Sequence, residues 1–151
     1  MPSPADAQVA TLDKFLAAWQ KGSAAETIAL WSDDFTQRLL PLSLGRPALT
    51  RAQASAALSM MMGKLTNWKT EIRQVVHDSA RGSAAVYTTA VADTPLPGGE
   101  VWNNEYGVFI TFSHDGTKIT KIEEMIDTAF FGEFFPKFQR YLAEQPAQQG
   151  V

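Results

Sequence analysis

The chain has 151 residues, carries a formal net charge of −3 and contains no cysteine. Its 45% hydrophobic and 19% charged residues are typical of a folded protein, and the small negative charge argues against a nucleic acid or an anionic membrane as partner. Without cysteine, disulfides, thiolate catalysis and cysteine-bound zinc or iron–sulfur sites are excluded.

The chain length predicts a single domain over residues 1–151. No apolar run approaches the ~20 residues of a membrane span. The first residues, "MPSPADAQ", also lack the basic and apolar segments of a secretory signal. A cytoplasmic protein is therefore expected.

Helical periodicity dominates the first part of the chain. Three helices are predicted, over residues 3–22, about 24–31 and about 51–65. Ser3 caps the first helix and Gly22 ends it, while Thr50 caps the third. The segment between the second and third helices, "SDDFTQRLLPLSLGRPA", contains two prolines and a glycine and is predicted to be irregular.

From Trp68 onward the apolar pattern changes to a period of two. Four strands are predicted, over residues 68–77, 83–92, 101–112 and 118–129. Asp115 and Gly116 predict a tight hairpin turn between the last two strands. Three helices followed by an antiparallel meander predict an α+β fold, in which the helices pack on a curved sheet of about four strands and enclose a cone-shaped cavity.

The C-terminal segment is rich in phenylalanine. Residues 130–144, "FFGEFFPKFQRYLAE", predict a short helix or helical turn that Gly132 and Pro136 interrupt. A ragged polar tail is expected after Pro146. The phenylalanines would form a wall or lid that keeps water out of the cavity.

The hairpin turn allows the register of the last two strands to be inferred. With Asp115 and Gly116 as the two central residues of the turn, Tyr106 faces Met125 and Asn104 faces Asp127. One face of the sheet then carries Trp102, Asn104, Tyr106, Met125 and Asp127, and the other carries Phe109, Ile122, Ile126, Glu105 and Glu124. A bulge of one residue would exchange the two sets.

The acids of the last strand are the candidates for chemistry. Asp127 beside Met125 and the phenylalanines would be desolvated, which raises the pKa of a carboxyl group and suits it to proton transfer. The alternative is that Asp127 caps the following helical segment. His77, at the end of the first strand, either reaches the cavity as an acid or base or lies at the edge of the core.

Two further features have alternative interpretations. Arg38 either pairs with a neighbouring aspartate or points inward to polarise a carbonyl. The face with Phe109, Ile122 and Ile126 predicts a homodimer interface, or else a surface covered by the C-terminal segment. No metal-ligand spacing is present among the two histidines and the acids, so no metal is expected.

Several motifs are similar to those of the SnoaL-like branch of the NTF2-like superfamily: "WSDDF" with a following arginine, "VVHD", "WNNEY" and "KITKIEEMID". The resemblance covers about residues 8–142, and it implies that these residues form the core of the domain, with short flexible tails on either side. Within that branch, the chain resembles the small cofactor-free isomerases and cyclases of fungal natural-product pathways, such as the meroterpenoid ring-rearranging enzymes and the semipinacolase of indole alkaloid assembly.

The resemblance implies a dimer of cone-shaped barrels with an acid–base site inside each cone. The corresponding catalytic residues are Arg38, His77 and either Asp127 or Glu124. Some relatives have another acid on the third helix, where this chain has three methionines, and this difference suggests a different or more apolar substrate. The expected substrate-binding side chains are Asn104, Tyr106, Trp102, Met125, Met61, Phe35 and Phe131.

The leading functional hypothesis is a cofactor-independent isomerase or cyclase that acts on a polycyclic terpenoid, polyketide or alkaloid intermediate by general acid–base catalysis. A dehydratase or an epoxide hydrolase on a similar substrate is the first alternative, because this fold supports several reactions. A dimeric module that only binds a small apolar ligand is the second.

Overall fold

A computed structural model describes residues 1–149 of the chain. The helices are α1 (Pro4–Lys21), α2 (Ala24–Ile28), α3 (Arg51–Lys64) and α4 (Thr128–Gln149). The strands are β1 (Trp31–Leu40), β2 (Leu49–Thr50), β3 (Thr66–Asp78), β4 (Ser83–Asp93), β5 (Val101–Phe112) and β6 (Ile119–Ile126), and a short 3₁₀ turn covers Leu42–Leu44. No helix within these 149 residues is long and apolar enough to cross a membrane.

The strands form one sheet in the order β2-β1-β6-β5-β4-β3. All neighbours are antiparallel except β1 and β6, which run parallel. The predicted α+β architecture, with helices packed on one face of a curved sheet, is therefore confirmed. The sheet has six strands rather than about four, because the segment predicted to be irregular contains most of β1, and β2 follows it directly.

Local capping signals determine the ends of two helices. Ser3 and Thr50 each accept a hydrogen bond from an amide in the first turn and form capping boxes at the starts of α1 and α3. Gly22 ends α1 in the left-handed conformation, with φ of 68°. A Cβ at Gly22 would also lie 2.8 Å from a ring atom of Trp68, so a larger residue would strain both backbone and packing.

The C-terminal helix differs from the prediction. Residues Thr128–Gln149 form one continuous helix despite Gly132 and Pro136, and the expected tail after Pro146 is helical as far as residue 149. Residues 150–151 of that tail lie outside the described part of the chain. The buried face of α4 includes Phe131, Phe134 and Phe138, a helical spacing that packs the aromatic rings against the sheet.

The register between β5 and β6 is shifted from the prediction by one residue. The turn spans four residues, since the Ser113 amide donates to the Lys118 carbonyl. Phe112 still pairs with Ile119, but a bulge follows and Thr111 pairs with Lys121. Tyr106 therefore lies opposite Ile126 instead of Met125.

This shift exchanges the faces of β6 while β5 keeps the predicted set. Trp102, Asn104 and Tyr106 are buried on the inner face, as the alternation in β5 predicts. Ile122 and Ile126 are also buried there, 2% and 6% exposed, so their assignment to the outer face is wrong. Met125 is 42% exposed, on the opposite side of β6 from Ile122 and Ile126, so its place among the cavity residues is wrong as well.

Candidate active site

A small cavity lies between the inner face of the sheet and the helices. Its volume is about 30 Å³, which is room for roughly two water molecules. The lining comes from α1, α2, α3 and three strands and is largely apolar: Phe15, Ala18, Trp19, Gly22, Ser23, Ala24, Thr27, Trp31, Gln37, Leu58, Met62, Trp68, Ile122 and Glu124.

Glu124 is the acid in this cavity. It is paired with Val108 of β5 and with Leu39 of β1, so an apolar residue lies on each side of it. Burial among these groups raises the pKa of Glu124 from 4.5 to about 7, and a hydrogen bond with Gln37 opposes part of the rise. Of the two acids that the resemblance left open, Glu124 is the one that reaches the cavity.

Gln37 is a site residue that the sequence prediction missed. It lies on β1 and pairs in parallel register with Ile122, two residues before Glu124. Alternation along β1 places Gln37 on the inner face, where its side chain lines the cavity with Glu124 and lowers the pKa of that carboxyl group. The parallel pairing of β1 with β6 brings Gln37 and Glu124 together, and no local sequence pattern predicts this pairing.

Trp31, at the start of β1, was also missed. Its ring is buried and stacks on Phe35 with a centroid distance of 4.0 Å and an interplanar angle of 6°. The indole N–H has no hydrogen-bond partner in the protein, although the side chain lines the cavity. An unpaired buried donor costs about 1–3 kcal/mol of folding free energy, and such groups are therefore rare in folded proteins.

Tyr106, Trp102 and Asn104 form a buried polar network beside the cavity. The Trp102 indole N–H donates to the Tyr106 hydroxyl at 3.1 Å. Burial and then the negative charge of Glu124 raise the pKa of Tyr106 well above 10.0, against hydrogen bonds with Trp102 and Asn104. Tyr106 is therefore a neutral phenol close to Glu124, and its ring packs edge-on against Trp19 at 5.1 Å.

Asp127 does not enter the cavity. Its Oδ1 accepts hydrogen bonds from the amides of Ala129 and Phe130 at 3.1 and 3.2 Å. The capping interpretation is therefore confirmed, and the placement of Asp127 inside the cone is wrong because of the bulge in β6. Asn104 supports the same corner, since its Oδ1 accepts from the Asp127 amide.

His77 and Arg38 lie away from the cavity. His77 shares a hydrogen bond of 2.9 Å with Gln8 of α1 and packs edge-on against Phe112, near the turn between β5 and β6. In the register of β1 and β6, Arg38 lies opposite Glu123. Because side chains alternate along a strand and Gln37 points inward, Arg38 lies on the outer side of β1. Neither side chain lines the cavity with Glu124.

The remaining predicted residues surround the cavity more remotely. Phe35 is buried under Trp31, and Phe131 stacks on Phe135 in α4, with the Arg46 guanidinium 4.7 Å from the Phe135 ring centroid. Met61 packs against the core, and its neighbour Met62 is the methionine that lines the cavity. The phenylalanines of α4 cover Trp102 and do not line the cavity.

The cavity offers little for a metal ion. Within residues 1–149, no three or more histidine, aspartate or glutamate side chains are grouped so that they could hold one. Glu124 is the single carboxylate among the lining residues of the described chain. This donor set is suited to proton transfer rather than to metal coordination.

Residues 12–122 match the SnoaL-like domain family. The chain belongs to this family. Among curated relatives, monooxygenase nsrS from Aspergillus novofumigatus is 59% identical over 143 residues, with 94% of this chain and 95% of the relative covered. Monooxygenase dmxR10 from a Cryptosporiopsis species is 48% identical over 147 residues, with 97% of each chain covered.

The fold of this SnoaL-like chain is also that of a solved fungal protein. The crystal structure of BvnE pinacolase from Penicillium brevicompactum superimposes with a TM-score of 0.79, covering 93% of this chain and 96% of the other at 16% identity. The superposition establishes the shared fold, whereas the reaction has to be argued from the site because the identity is only 16%.

An open groove borders the cavity of the SnoaL-like domain. The groove has a volume of about 740 Å³ and runs between α2 and the C-terminal part of α3. It shares four lining residues with the inner cavity, Gly22, Ser23, Ala24 and Met62. Met62 is the largest and most flexible of the four, and it lines both spaces.

Proposed function

We propose that this SnoaL-like protein is an isomerase or cyclase that moves a proton on a polycyclic natural-product intermediate. The observation that carries the proposal is Glu124, a carboxyl group with a pKa raised to about 7 in an aromatic cavity. At neutral pH such a group exists in both protonation states, so it can both remove and return a proton. The likeness of the fold to a pinacolase supports a rearrangement or isomerisation.

In the proposed mechanism, the Glu124 carboxylate removes a proton from a carbon next to a carbonyl group. The electron pair of the C–H bond moves into the carbonyl and forms an enolate. The Glu124 carboxylic acid then returns the proton to a different atom, so the reaction is neither an oxidation nor a reduction. Gln37 holds the carboxyl group in place, and the aromatic walls keep bulk water away from the enolate.

Substrate access requires the groove between α2 and α3. The cavity of about 30 Å³ is far smaller than a ring system, whereas drug-sized ligands occupy pockets of about 300–1,000 Å³. A rotamer change of Met62 joins the cavity to the groove of about 740 Å³. The polycyclic body would then lie in the groove with its reactive carbon beside Glu124.

The proposal is tested with 2-tetralone, a ketone with acidic α-protons, by following proton–deuteron exchange in D₂O by NMR. The wild-type protein is expected to accelerate exchange, and Glu124→Gln should lose about a hundred- to ten-thousand-fold of that acceleration. Glu123→Gln is the matched control, because Glu123 is adjacent in sequence but pairs with Lys121 on the outer face. Equal exchange rates for wild type and Glu124→Gln would contradict the proposal.

Oxygenation is the second candidate, favoured by the monooxygenase names of relatives at 59% and 48% identity. Proton removal by Glu124 would give a carbanion that reacts with O₂, so that a CH₂ group becomes a carbonyl group and water is the other product. Oxygen consumption and ¹⁸O from ¹⁸O₂ in the product would support this reaction. Deuterium from solvent in an unoxidised product would support isomerisation, and ¹⁸O from labelled water would indicate hydrolysis.

We also propose a homodimer through the outer face of the sheet. Tyr87 of β4 and Met125 of β6 lie opposite Gly107 of β5, and Phe109 is the next residue of β5 on the same face. Three large exposed side chains therefore surround a glycine, which has no side chain. An exposed apolar patch of this kind is typical of an interface. Phe109→Lys should give a monomer in sedimentation velocity, whereas Leu42→Lys, in the exposed 3₁₀ turn, should not. A monomeric wild type would rule out the dimer.

A further inference from the structure

The four tryptophans of the chain differ in one respect, the partner of the indole N–H. Three of them donate to protein oxygen atoms: Trp19 to the Thr88 hydroxyl at 3.2 Å, Trp68 to the Trp19 carbonyl at 2.7 Å, and Trp102 to the Tyr106 hydroxyl at 3.1 Å. The N–H of Trp31 has no acceptor in the protein, although the residue is 3% exposed. Trp31 is also a wall of the cavity that contains Glu124.

The orientation of Trp31 is fixed independently of this N–H group. Its ring stacks on Phe35, which is buried in the core, and Trp31 pairs with Ile119 at the start of the β1–β6 ladder. A stacked, strand-borne ring presents its donor in one direction without needing a hydrogen bond for support. The donor is therefore preorganised for an acceptor that arrives from outside the chain.

The chemistry of the lining limits what that acceptor can be. An indole N–H donates and cannot accept, so the partner must carry an acceptor atom. The described cavity lining contains no lysine, arginine or histidine, and it does contain the acid Glu124. An anionic group such as a carboxylate or phosphate would lack a counter-charge there, so a neutral oxygen is favoured.

We propose that Trp31 is a substrate-binding residue that donates a hydrogen bond to a neutral ketone oxygen. The proposal rests on the proposed function, in which Glu124 transfers a proton next to a carbonyl group. It adds the substrate class, a ketone with an otherwise apolar ring body. It also assigns Trp31 as the donor that recognises the oxygen, from a different strand than the acid.

The test is binding of 2-tetralone, followed in the indole region of ¹H–¹⁵N NMR spectra, where each tryptophan gives one signal. Titration should move the Trp31 indole proton downfield, and the Trp19, Trp68 and Trp102 signals, already hydrogen-bonded, should shift less. Tetralin, the same ring system without the oxygen, should leave the Trp31 signal nearly unmoved. A Trp31 signal that ignores 2-tetralone, or responds equally to tetralin, would overturn the proposal.

Trp31→Phe is the matching variant, because it removes the N–H group and keeps an aromatic ring over Phe35. Its Kd for 2-tetralone should rise about three- to tenfold, with little change in the Kd for tetralin. Thermal unfolding should be unchanged or higher, since an unpaired buried donor is removed. An unchanged Kd for 2-tetralone would contradict the proposal. If the variant fails to fold, the Trp31 signal of the wild type can be assigned from nuclear Overhauser contacts with Phe35. Titration of the wild type with 2-tetralone then tests the proposal without the variant.

Failure of this proposal is distinguishable from failure of the proposed function. The readout here is binding, whereas the test of Glu124 is exchange. The Glu124→Gln variant should retain the downfield shift of Trp31 on titration with 2-tetralone. If the protein accelerates α-proton exchange but the Trp31 signal does not shift, the acid–base function stands and the role of Trp31 as donor is contradicted.

Discussion

Glu124 and Asp127, three residues apart at the end of one strand, lie in different surroundings: Glu124 lines the cavity, and Asp127 caps α4. The bulge between β5 and β6 causes this separation, since it turns Glu124 inward and leaves Asp127 at the end of the strand. Their roles can be tested separately because one acid is expected to affect catalysis and the other stability.

Asp127→Ala should destabilise the protein by about 1 kcal/mol, because two amides at the start of α4 lose their acceptor. Asp127→Asn should be close to wild type, since asparagine is also a good N-cap. Urea denaturation measures both, and 2-tetralone exchange should be retained in both variants. Loss of exchange in Asp127→Asn with an intact fold would instead place Asp127 in the chemistry.

The stability of the folded state should depend on pH through Glu124. Its pKa is raised from 4.5 to about 7, so between these values the folded chain holds a proton that the unfolded chain has released. Stability should therefore fall as pH rises through this window, by about 1.4 kcal/mol per unit and about 3 kcal/mol in all. Urea denaturation across the window measures the slope, and Glu124→Gln should lack this part of it. A wild type and a Glu124→Gln variant with parallel profiles would mean that Glu124 is not desolvated.

Gln37→Leu should move the pH dependence of exchange upward. The hydrogen bond from Gln37 lowers the pKa of Glu124, so its removal leaves burial unopposed and less carboxylate at neutral pH. The pH–rate profile for 2-tetralone exchange measures the shift. Thr36→Val is the control, because Thr36 precedes Gln37 but alternation places it on the outer side of β1. An unshifted Gln37→Leu profile would show that the amide does not act on the acid.

Met62 should control access to the cavity. Met62→Ala opens the boundary between groove and cavity and should speed 2-tetralone association by about tenfold, while Met62→Phe should slow it. Stopped-flow tryptophan fluorescence measures both rates. Met60→Ala is the matched control, because Met60 is on the same helix, is exposed and lines neither space. Association rates unchanged across both Met62 variants would point to another path.

Features that depend on neighbouring residues were predictable from the sequence. The caps at Ser3 and Thr50 and the end at Gly22 are local, and the structure has them as predicted. The four strands from β3 to β6 follow from alternation in their own residues. The inward direction of Trp102 and Tyr106 follows from the same alternation.

Features that depend on pairing between distant segments were not predictable from the sequence. β1 carries Ser32, Asp33 and Asp34 near its start and a proline after its end, so its residues alone favour a loop. It is a strand because β6 pairs with it in parallel. The register of β6 depends on a bulge that the Asp115-Gly116 turn does not reveal, since side chains around the turn widen it to four residues. Two of the site residues that the prediction missed, Trp31 and Gln37, lie on β1.

The parallel pairing of β1 with β6 also sets the order in which the site can be assembled. Gln37 is synthesised early and Glu124 late, and their contact closes a loop that contains most of the sheet. During translation, the first three helices and the β3–β5 meander can form before β6 leaves the ribosome, but β1 then lacks the strand that joins it to the sheet, and the cavity lacks its acid. A nascent or truncated chain ending before residue 119 would thus have the β3–β5 meander but would lack Glu124 and the partner strand of Gln37, so the proposed activity would require a nearly complete chain.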